Sequence, residues 1–478
     1  MTAADVVGAD VAGADLAAAL RAAVGDHGLV TDPDATAGYA RDMMPLAPHG
    51  RPYAVVLPTT TEQVQACVRA CAAARVPIVP RGAGTGLTGA ANAVDGCVVL
   101  VTTRMDRIIE LDPDNRLAVV EPGVINQRLK TAAAAHGLYY PPDPSSLETC
   151  TLGGNLATNA GGLCCGKYGV TGDYVLGLEA VLADGSLLRT GRRTVKGVAG
   201  YDLTRLLVGS EGTLGVITRA TLALRPLPAA PGTVVAAFDS VAKAGASVNR
   251  VVRAGLVPSL MEIMDATSLR ASSAHLGTDL AGADDQALLL CQTDAAGSVG
   301  EAELDRLEKL FRQSGAVWTH ATRDAAEGAL LLRARRVSLT ALEAQGACMT
   351  EDVAVPRTRI AELIEGCAQI GDTAGLTVAV VGHAGDGNMH PTVLYDRHDD
   401  REQARARTAF DAILDLALSL GGTITGEHGV GKLKQDWLER EIGPVGLRVH
   451  RAVKAALDPA GLFNPGGMLR PAGDPDRP

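Results

Sequence analysis

The sequence predicts an α+β fold with more than one domain. Short apolar runs alternate with Gly- and Pro-rich turns over residues 52–228, a pattern typical of strands in a loop-rich mixed domain. From about residue 229 longer amphipathic helices separate the apolar runs. A chain of 478 residues is also too long for one ordinary hydrophobic core. We therefore expect an N-terminal helical segment at 1–48, a first domain at 49–228, a second domain at 229–415 and a segment at 416–478 that packs back on the first domain.

The individual elements follow from local patterns. A helix is predicted at TEQVQACVRACAAAR, where apolar residues recur at three- and four-residue spacing and Thr60 or Thr61 can cap the first turn. In the first domain, strands are predicted at YAVVLP, VPIVP, GCVVLVT, LAVVEPG, YVLGLEAVLADG and GTLGVITRATLAL. In the second domain, strands at AAPGTVVAAF, SLMEIMD, DDQALLLCQTD and LTVAVVGHAG alternate with helices at VAKAGASVNRVVRAG, EAELDRLEKLFRQSG, TRIAELIEGCAQIGDTAG and REQARARTAFDAILDLALSLGG.

Composition excludes several classes of protein. The net charge of −10 argues against a nucleic-acid partner, and the short basic clusters at 192–193 and 333–336 are interpreted as surface charge. Nine scattered cysteines without a CxxC pair indicate a reducing compartment. The N-terminus predicts an amphipathic helix from about Val11 to Val24, and neither a signal peptide nor a membrane span. We therefore expect a cytoplasmic protein with no transmembrane segment.

A glycine-rich loop, PRGAGTGLTGAA, follows the strand VPIVP. Gly84 to Gly89 match GxGxxG, but a Rossmann site also needs a following helix and an acidic residue about 20 positions on. The chain instead runs through AANAVDG into the strand CVVLVT, so we reject a Rossmann fold. Closely spaced glycines still allow backbone N–H groups to converge on an anion, although a flexible hairpin is the simpler alternative for this loop alone.

Two further segments are rich in small residues. They are PPDPSSLETCTLGGNLATNAGGLCCGKYG and VAGYDLTRLLVGSEGTLGVIT, in which small side chains permit the close approach of a flat ring system. With PRGAGT, these motifs resemble in type and order the FAD-binding domain of the vanillyl-alcohol-oxidase (PCMH-type) flavoprotein family. The resemblance implies a two-domain flavoprotein with a PCMH-type FAD-binding domain and an α+β substrate, or cap, domain.

The same resemblance implies which residues bind FAD. The pyrophosphate is expected to be wrapped by Arg81, Gly82, Ala83, Gly84, Thr85 and Gly86. The flavin and adenine are expected to be lined by Pro142, Asp143, Ser145, Ser146, Gly153, Gly154, Thr158, Gly162, Gly215, Val216 and Ile217. Many family members attach FAD through a histidine in the first loop, and this loop has none. Non-covalent FAD is therefore expected. A thioether at Cys164 or Cys165 is the alternative, although free cysteine is mostly a small buried hydrophobe.

A predicted β-hairpin, LTVAVVGHAGDGNMHPTVLYD, carries two histidines. Asp386-Gly387 is a two-residue turn dipeptide between apolar strands, and such a turn pairs 385 with 388, 384 with 389 and 383 with 390. His383 and His390 would then lie directly opposite on one face, with Cβ atoms ~5 Å apart. This arrangement suits two imidazoles that share one metal ion.

The motif GGTITGEHGVGK supplies a third ligand type. Glu427 completes a His2Glu set, which is familiar for catalytic zinc and also accepts Mn or Fe. On an extended strand the neighbouring His428 would point to the opposite face, which leaves its imidazole free as a general base. A plain glycine-rich turn is the alternative reading of this motif.

The motifs HxGDGNxH and GEHGxG, with the ending LDPAGLFNPG, resemble the D-lactate, glycolate and D-2-hydroxyglutarate dehydrogenase group of the same flavoproteins. The resemblance extends over roughly residues 40–470. It implies that His383, His390 and Glu427 bind the metal, that Asn388 orients it, and that His428 takes the substrate hydroxyl proton.

The same group carries an arginine for the substrate carboxylate. Registered on Asp352 of EDVAVP, the matching residue in LLRARRVSLTALEAQGACMTEDVAVP is Arg335, whose fork suits a carboxylate. Some relatives carry a lysine where this chain has Thr350. This difference favours a small monocarboxylic substrate over 2-hydroxyglutarate.

The predicted function is FAD-dependent oxidation of a small D-2-hydroxy acid to the 2-oxo acid, with electrons passed to an unnamed acceptor such as a quinone, a cytochrome or an electron-transfer flavoprotein. A homodimer is the expected assembly. Two alternatives stay open: a flavin-binding subunit of a larger glycolate oxidase complex, and another flavoenzyme chemistry on this fold, such as ether-lipid synthesis.

Overall fold

The computed structural model describes residues 15–44, 46–278 and 287–470. Its first helix, α1, covers residues 15–24, and Leu16 and Leu20 on one face of it are buried. The predicted start of this helix at Val11 lies outside the described residues. No helix in the described ranges is long and apolar enough to cross a membrane.

The first part of the chain builds two sheets with short helices around them. Its elements are β1 (Leu29–Val30), α2 (Pro33–Ala37), β2 (Ala54–Val56), α3 (Thr61–Ala74), β3 (Ile78–Arg81), β4 (Val98–Val101), β5 (Ile108–Asp112), β6 (Leu117–Val120), α4 (Asn126–Ala134), β7 (Leu138–Tyr139), α5 (Leu152–Thr158), α6 (Cys165–Tyr168), β8 (Val175–Val181), β9 (Leu187–Gly191), α7 (Leu203–Leu207), β10 (Val216–Ala223) and β11 (Arg225–Pro226). One sheet has the order β1-β2-β4-β3, with β2, β4 and β3 parallel. The other has the order β5-β6-β10-β8-β9 and is antiparallel.

Helix α3 shows why these residues fold as they do. The Thr60 side chain accepts a hydrogen bond from the Gln63 backbone N–H at 3.3 Å, which caps the first turn. Apolar side chains at three- and four-residue spacing are buried, and the helix ends at Arg75 in the left-handed conformation (φ 55°). The predicted helix and its cap are confirmed.

The second part of the chain builds one large antiparallel sheet. Its elements are β12 (Gly232–Phe238), α8 (Val241–Arg253), β13 (Leu260–Met264), α9 (Ala266–Leu276), β14 (Ala287–Thr293), α10 (Gly297–Gln313), β15 (Ala316–Thr322), α11 (Ala325–Arg336), α12 (Ser338–Glu343), β16 (Ala347–Thr350), β17 (Val353–Ala354), α13 (Ile360–Ala374), β18 (Thr377–His383), β19 (Asn388–Tyr395) and α14 (Asp400–Ser419). The order is β15-β12-β14-β13-β18-β19-β16, with β17 paired to β19. Helices α8, α10, α13 and α14 contribute to the largest core.

The last helix, α15 (Gln435–Leu457), packs against the hydrophobic cores of both domains. It kinks at Gly443, which precedes Pro444. Leu438 belongs to the core of the second domain, whereas Val453 and Leu457 pack against the first. Beyond the helix, Phe463 forms a parallel bridge with Ile78 of β3. The C-terminal segment therefore joins the two halves of the chain and leads residues 425–431 between them.

Candidate active site

A cavity of about 460 Å³ runs along the first domain and is walled by its three glycine-rich segments. Of the predicted cofactor residues, the wall includes Arg81, Gly82, Ala83, Gly84, Thr85, Gly86, Ser145, Ser146, Gly153, Gly154, Thr158, Gly215, Val216 and Ile217. Three predicted residues are not on this wall. The Pro142 carbonyl accepts from Asn126, Asp143 accepts from the Cys164 backbone N–H at 3.2 Å, and Gly162 packs against Asp143. Glu427 and His428 close one part of the cavity.

Glycine is required where the wall is tightest. An added Cβ at Gly82 would lie 2.4 Å from Thr151 Oγ1, and one at Gly153 would lie 2.6 Å from Pro122 Cβ. The Arg81 guanidinium is buried beside this loop, and its Nη1 has no hydrogen-bond partner among the described residues. Small residues therefore let the backbone approach whatever fills the cavity, and an unpaired cationic donor lies at its edge.

The histidine hairpin differs from the predicted register. His383 pairs with Asn388, and Val381 pairs with His390, so the loop between β18 and β19 has four residues, 384–387. The Asp386 and Gly387 backbone N–H groups both donate to the His383 carbonyl, and Asp386 Oδ1 accepts from the Asn388 N–H at 3.0 Å. The two-residue turn was wrong. A shift of two residues keeps every side chain on its face, so the predicted shared face is correct.

His383, His390 and Glu427 converge on one point. His383 Nε2 and His390 Nε2 are 3.4 Å apart, and Glu427 Oε1 lies 3.6 Å from the first and 3.4 Å from the second. All three residues are largely buried. Three potential ligand atoms therefore face one another across a space that fits a single ion.

Residues 425–431 form a loop, so the extended strand on which the predicted separation of His428 from Glu427 depended is absent. As a result His428 does not point away from Glu427. Both line the cavity of the first domain, and His428 Nε2 is 3.9 Å from Glu427 Oε1. The His428 ring stacks on the His390 ring with centroids 5.4 Å apart. The premise of an extended strand was wrong, and the base candidate lies beside the ligand candidates.

Two buried carboxylates that the sequence did not single out hold this cluster. Glu262 of β13 accepts at 2.7 Å from His383 Nδ1 and lies 2.8 Å from Arg335 Nε, out of line for a hydrogen bond. Asp352 Oδ2 accepts from Thr425 Oγ1 and from the backbone N–H groups of residues 426–428, while its Oδ1 accepts from Asn388 Nδ2 at 2.7 Å. Asn388 thus acts on the loop through Asp352.

Burial and charge shift the titration of the cluster in different directions. Burial would lower the pKa of His383, but Glu262 and Glu427 raise it well above its ordinary value. Burial would raise the pKa of Glu427, but the hydrogen bonds and charges of the two histidines hold it well below its usual range. Burial lowers the pKa of His428, and this outweighs the opposite effect of Asp352 and Glu427. His428 is therefore neutral at pH 7.

Two family models match the chain over these regions. The model described as FAD binding domain covers residues 52–191, and FAD linked oxidases, C-terminal domain covers residues 227–468, more than half of the chain. The chain belongs to the FAD-linked oxidases. It is an FAD-linked oxidoreductase, and the enzyme class predicted from the motifs is confirmed.

Several curated proteins are similar over nearly the whole length of this FAD-linked oxidase. The glycolate oxidase subunit GlcD of Bacillus subtilis is 40% identical, over 91% of this chain and 93% of its own. That of Escherichia coli K12 is 40% identical over 87% of this chain and 83% of its own. A D-lactate dehydrogenase of Anaerostipes hadrus is 33% identical over 90% and 92%.

Solved structures share the fold at lower identity. p-Cresol methylhydroxylase superposes with a TM-score of 0.79 at 21% identity, covering 96% of each chain. A 4-ethylphenol oxidase from Gulosibacter chungangensis has a TM-score of 0.77 at 19% identity, over 96% of this chain and 97% of its own. The predicted two-domain, PCMH-type FAD-binding fold is confirmed.

The cavity of this FAD-linked oxidase fits FAD. Among the described residues, the backbone N–H groups of residues 82–86 have no hydrogen bond to another protein atom, and Arg81 Nη1 is likewise unpaired. Unused backbone donors beside an arginine are what a pyrophosphate needs. Neither Cys164 nor Cys165 is on the cavity wall, and burial raises the pKa of both thiols. Both observations fit packing better than a thioether.

The ligand atoms also fit a metal ion. A tetrahedral zinc site with bonds of about 2.0–2.1 Å places its ligand atoms roughly 3.3 Å apart. The separations of 3.4 to 3.6 Å among His383, His390 and Glu427 are close to this value. Asp352, His390 and His428 form a second convergent set, but Asp352 already accepts from five donors. The first set is therefore the better candidate for a metal site.

The arginine segment separates into one mostly buried and two exposed side chains. Arg333 and Arg336 on α11 are exposed, as the surface interpretation predicted. Arg335 is 12% exposed and is joined to His383 through Glu262. It is not on the wall of the flavin-side cavity. The Thr350 hydroxyl is 3.1 Å from that of Thr392.

Proposed function

We propose that this FAD-linked oxidase oxidises a small 2-hydroxy acid to the corresponding 2-oxo acid. The observation that carries the proposal is that Glu427 and His428 line the FAD cavity and also belong to the convergent histidine–carboxylate cluster. Substrate bound at this junction would contact both. The relatives named glycolate oxidase subunit and D-lactate dehydrogenase support the substrate class and favour glycolate or D-lactate, with D-2-hydroxyglutarate as a less favoured substrate.

The proposed metal ligands are His383, His390 and Glu427. A bound divalent ion, Zn²⁺ by preference and Mn²⁺ or Fe²⁺ by the same ligand types, would lower the pKa of the substrate hydroxyl. Glu262 supports this assignment because it orients the His383 ring through Nδ1 and leaves Nε2 for the ion. An ion held by these two histidines and one carboxylate would keep a coordination position for substrate.

His428 is the proposed general base. Its imidazole lies within the cavity wall, and its lowered pKa keeps it neutral and able to accept a proton at pH 7. The hydroxyl O–H bond breaks with the proton going to His428, and the C2–H bond breaks with its electron pair leaving as hydride. Non-covalently bound FAD supplies the two-electron acceptor for that hydride. The carbon product is the 2-oxo acid.

Arg335 is the proposed anchor for the substrate carboxylate. Its contact with Glu262 places it one side chain away from His383, and its planar fork binds both carboxylate oxygens. With Thr350 in place of a second cation, the site suits a small monocarboxylate. A membrane-associated or soluble electron acceptor would then reoxidise the flavin. In this proposal the protein is cytoplasmic and forms a homodimer.

The name of the relatives favours one alternative. Glycolate oxidase subunit GlcD is described as a subunit, so this chain is a candidate for the flavin-binding subunit of a larger complex. A convergent cluster beside the cavity supports an active chain in either assembly, because a subunit without its own chemistry has no need of it.

The test is anaerobic stopped-flow mixing of the purified, metal-loaded holoenzyme with D- and L-hydroxy acids. Flavin absorbance should bleach with glycolate or a D-hydroxy acid and not with the L enantiomer. No bleaching with any hydroxy acid would overturn the proposal. Acid precipitation of the same sample should release the flavin, and flavin that stays with the precipitate would contradict non-covalent binding.

A further inference from the structure

The loop that presents Glu427 and His428 is held by carboxylates from both domains. Asp352 accepts from the backbone N–H groups of residues 426–428 at 2.8 to 3.0 Å. Glu211 of the first domain accepts from the Val430 and Gly431 N–H groups, each at 2.7 Å. The Gly429 N–H donates to Thr425 Oγ1 at 2.9 Å. Within the described residues, every backbone N–H from 426 to 431 thus has an acceptor, and the carboxylate that accepts changes from Asp352 to Glu211 between His428 and Val430.

Glu211 is a buried carboxylate whose two side-chain oxygens both accept from the loop. It is 5% exposed and adopts a left-handed backbone (φ 51°), which is unusual for a residue other than glycine. Its own N–H donates to Ala157 O at 2.8 Å, and its carbonyl accepts from Asn464 Nδ2 at 2.9 Å. No basic side chain forms an ion pair with it among the described residues. A buried carboxylate without an ion-pair partner is costly, and the two N–H bonds compensate for its burial more than the nearby charge of Lys434 does.

The loop is also pressed closely against the first domain. An added Cβ at Gly429 would lie 2.6 Å from Glu211 Oε1, and one at Gly431 would lie 2.2 Å from the Thr88 carbonyl. The same carbonyl accepts from the Lys432 N–H at 2.9 Å. Gly429 and Gly431 are therefore required for contact with Glu211 and Thr88, and not only for turning.

We propose that Glu211 is a positioning residue that sets the place of His428 relative to the flavin. Glu211 and His428 line the same cavity, but the Glu211 carboxylate points at the loop backbone. By holding the loop from the flavin domain while Asp352 holds it from the second domain, Glu211 links the base to the domain that binds FAD. This inference rests on the proposed function of His428.

The test uses Glu211→Gln in the holoenzyme. The amide offers one acceptor where the carboxylate offers two, so one backbone N–H loses its partner and the loop end relaxes. A displacement of this kind is expected to slow flavin reduction at saturating hydroxy acid by about 10- to 100-fold. FAD content should be unchanged. The substrate concentration for half-maximal reduction should stay within roughly 2-fold, because ground-state binding is retained.

A second measurement does not depend on activity. Hydrogen exchange followed by mass spectrometry should show faster exchange in the peptide that contains Val430 and Gly431. The matched control is Glu121→Gln. Glu121 is also a buried carboxylate of the first domain, but it accepts from Arg107 and does not contact the loop. Glu121→Gln should change neither the exchange of this peptide nor the reduction rate per bound flavin.

The outcomes separate this inference from the proposed function. Unchanged exchange in Glu211→Gln, or faster exchange with a normal reduction rate, would overturn the positioning role. A wild type that no hydroxy acid reduces would overturn the proposed function, and with it the purpose assigned to the clamp, whatever the exchange result. If Glu211→Gln does not fold, Gly429→Ala displaces the same carboxylate from the loop side, and the same two readouts apply.

Discussion

The FAD cavity and the histidine–carboxylate cluster meet at Glu427 and His428, yet they are built differently. Backbone and small side chains from contiguous glycine-rich segments form most of the cavity wall. The cluster consists of polar side chains from the β18–β19 hairpin and the 425–431 loop. Glu262 holds the His383 ring, and Asp352 holds the backbone of the loop. Because the two regions are built differently, we expect a change in the cavity wall to weaken FAD binding and a change in the cluster to slow the oxidation of substrate, each without the other effect.

Loss of one of the proposed metal ligands should have the largest effect, and it tests most directly whether the cluster acts independently of the FAD cavity. His383→Ala, His390→Ala and Glu427→Gln should each lower flavin reduction by a hydroxy acid on the order of 10³-fold or more, because the stabilisation that the proposed metal would give the alkoxide is lost. Metal analysis should show the loss of one divalent ion per chain, with FAD retained. His320→Ala, an exposed histidine of the second domain, is the matched control. Full activity of a rigorously metal-stripped wild type would break the assignment.

Removal of the base should leave both binding regions intact. His428→Asn is expected to slow flavin reduction at saturating substrate by roughly 10²- to 10⁴-fold, since the proton has no acceptor in the transition state. Metal content and the substrate concentration for half-maximal reduction should change little. Loss of metal in this variant would instead place His428 among the ligands, as in the set of Asp352, His390 and His428.

Removal of the carboxylate anchor should act on substrate binding. Arg335→Ala should raise the hydroxy-acid concentration for half-maximal reduction roughly 10- to 100-fold, the usual range for a lost charge-assisted hydrogen bond. Metal content must be measured in parallel, because Arg335 is also paired with Glu262, which orients His383. The exposed Arg333→Ala and Arg336→Ala are the controls. Weaker substrate binding in Arg333→Ala but not in Arg335→Ala would show that the register of this segment is misassigned.

A change confined to the cavity wall should weaken FAD binding and leave the histidine–carboxylate cluster intact. In Gly82→Ala the new Cβ would lie 2.4 Å from Thr151 Oγ1, so the loop must shift. FAD affinity should fall roughly 10-fold, as overpacking costs on the order of 1 kcal/mol or more, and the metal content should be unchanged. Equilibrium dialysis of the flavin measures this. Gly38→Ala, at an exposed site with an ordinary φ of −63°, is the control. Loss of metal in Gly82→Ala would mean that the two regions are coupled.

The smallest effect concerns pH. Because burial lowers the pKa of His428 below its ordinary value of about 6.5, the base is already neutral at pH 7. The rate of flavin reduction should therefore be flat from pH 7 upward. It should fall at lower pH, as His428 takes up a proton. Stopped-flow rates at saturating substrate across pH 5 to 8 measure this limb. A limb centred above pH 7, or one that persists in His428→Asn, contradicts the assignment.

The two regions also differ in how well the sequence predicted them. Fourteen of the seventeen cofactor residues inferred from motif resemblance line the cavity, because contiguous glycine-rich motifs keep their local geometry in the fold. Pro142, Asp143 and Gly162 lie behind the wall, and nothing in their local sequence indicates on which side of the chain they fall. The helix and strand positions, including the cap of α3 by Thr60, were likewise readable from periodicity and capping residues.

The cluster was predicted only in part. His383 and His390 share a face because side chains alternate along a strand, so even a register error of two residues did not separate them. The loop conformation of residues 425–431 was missed, because it depends on Asp352 and Glu211 rather than on the local sequence. The carboxylate of Glu262 was also missed, since a single glutamate inside the apolar strand SLMEIMD carries no motif.

By itself the sequence determined the α+β class, the order of helices and strands, the flavin motifs and the residue types of the cluster. These are properties of neighbouring residues: glycine spacing, apolar periodicity and helix-capping residues. Only the tertiary structure decided which carboxylates hold the cluster. Glu262 meets His383 across 121 positions of the chain, Asp352 meets His428 across 76, and Glu211 meets Val430 across 219. Such contacts arise when strands and loops distant in sequence pack together, and the burial that shifts the pKa of His428 arises in the same step.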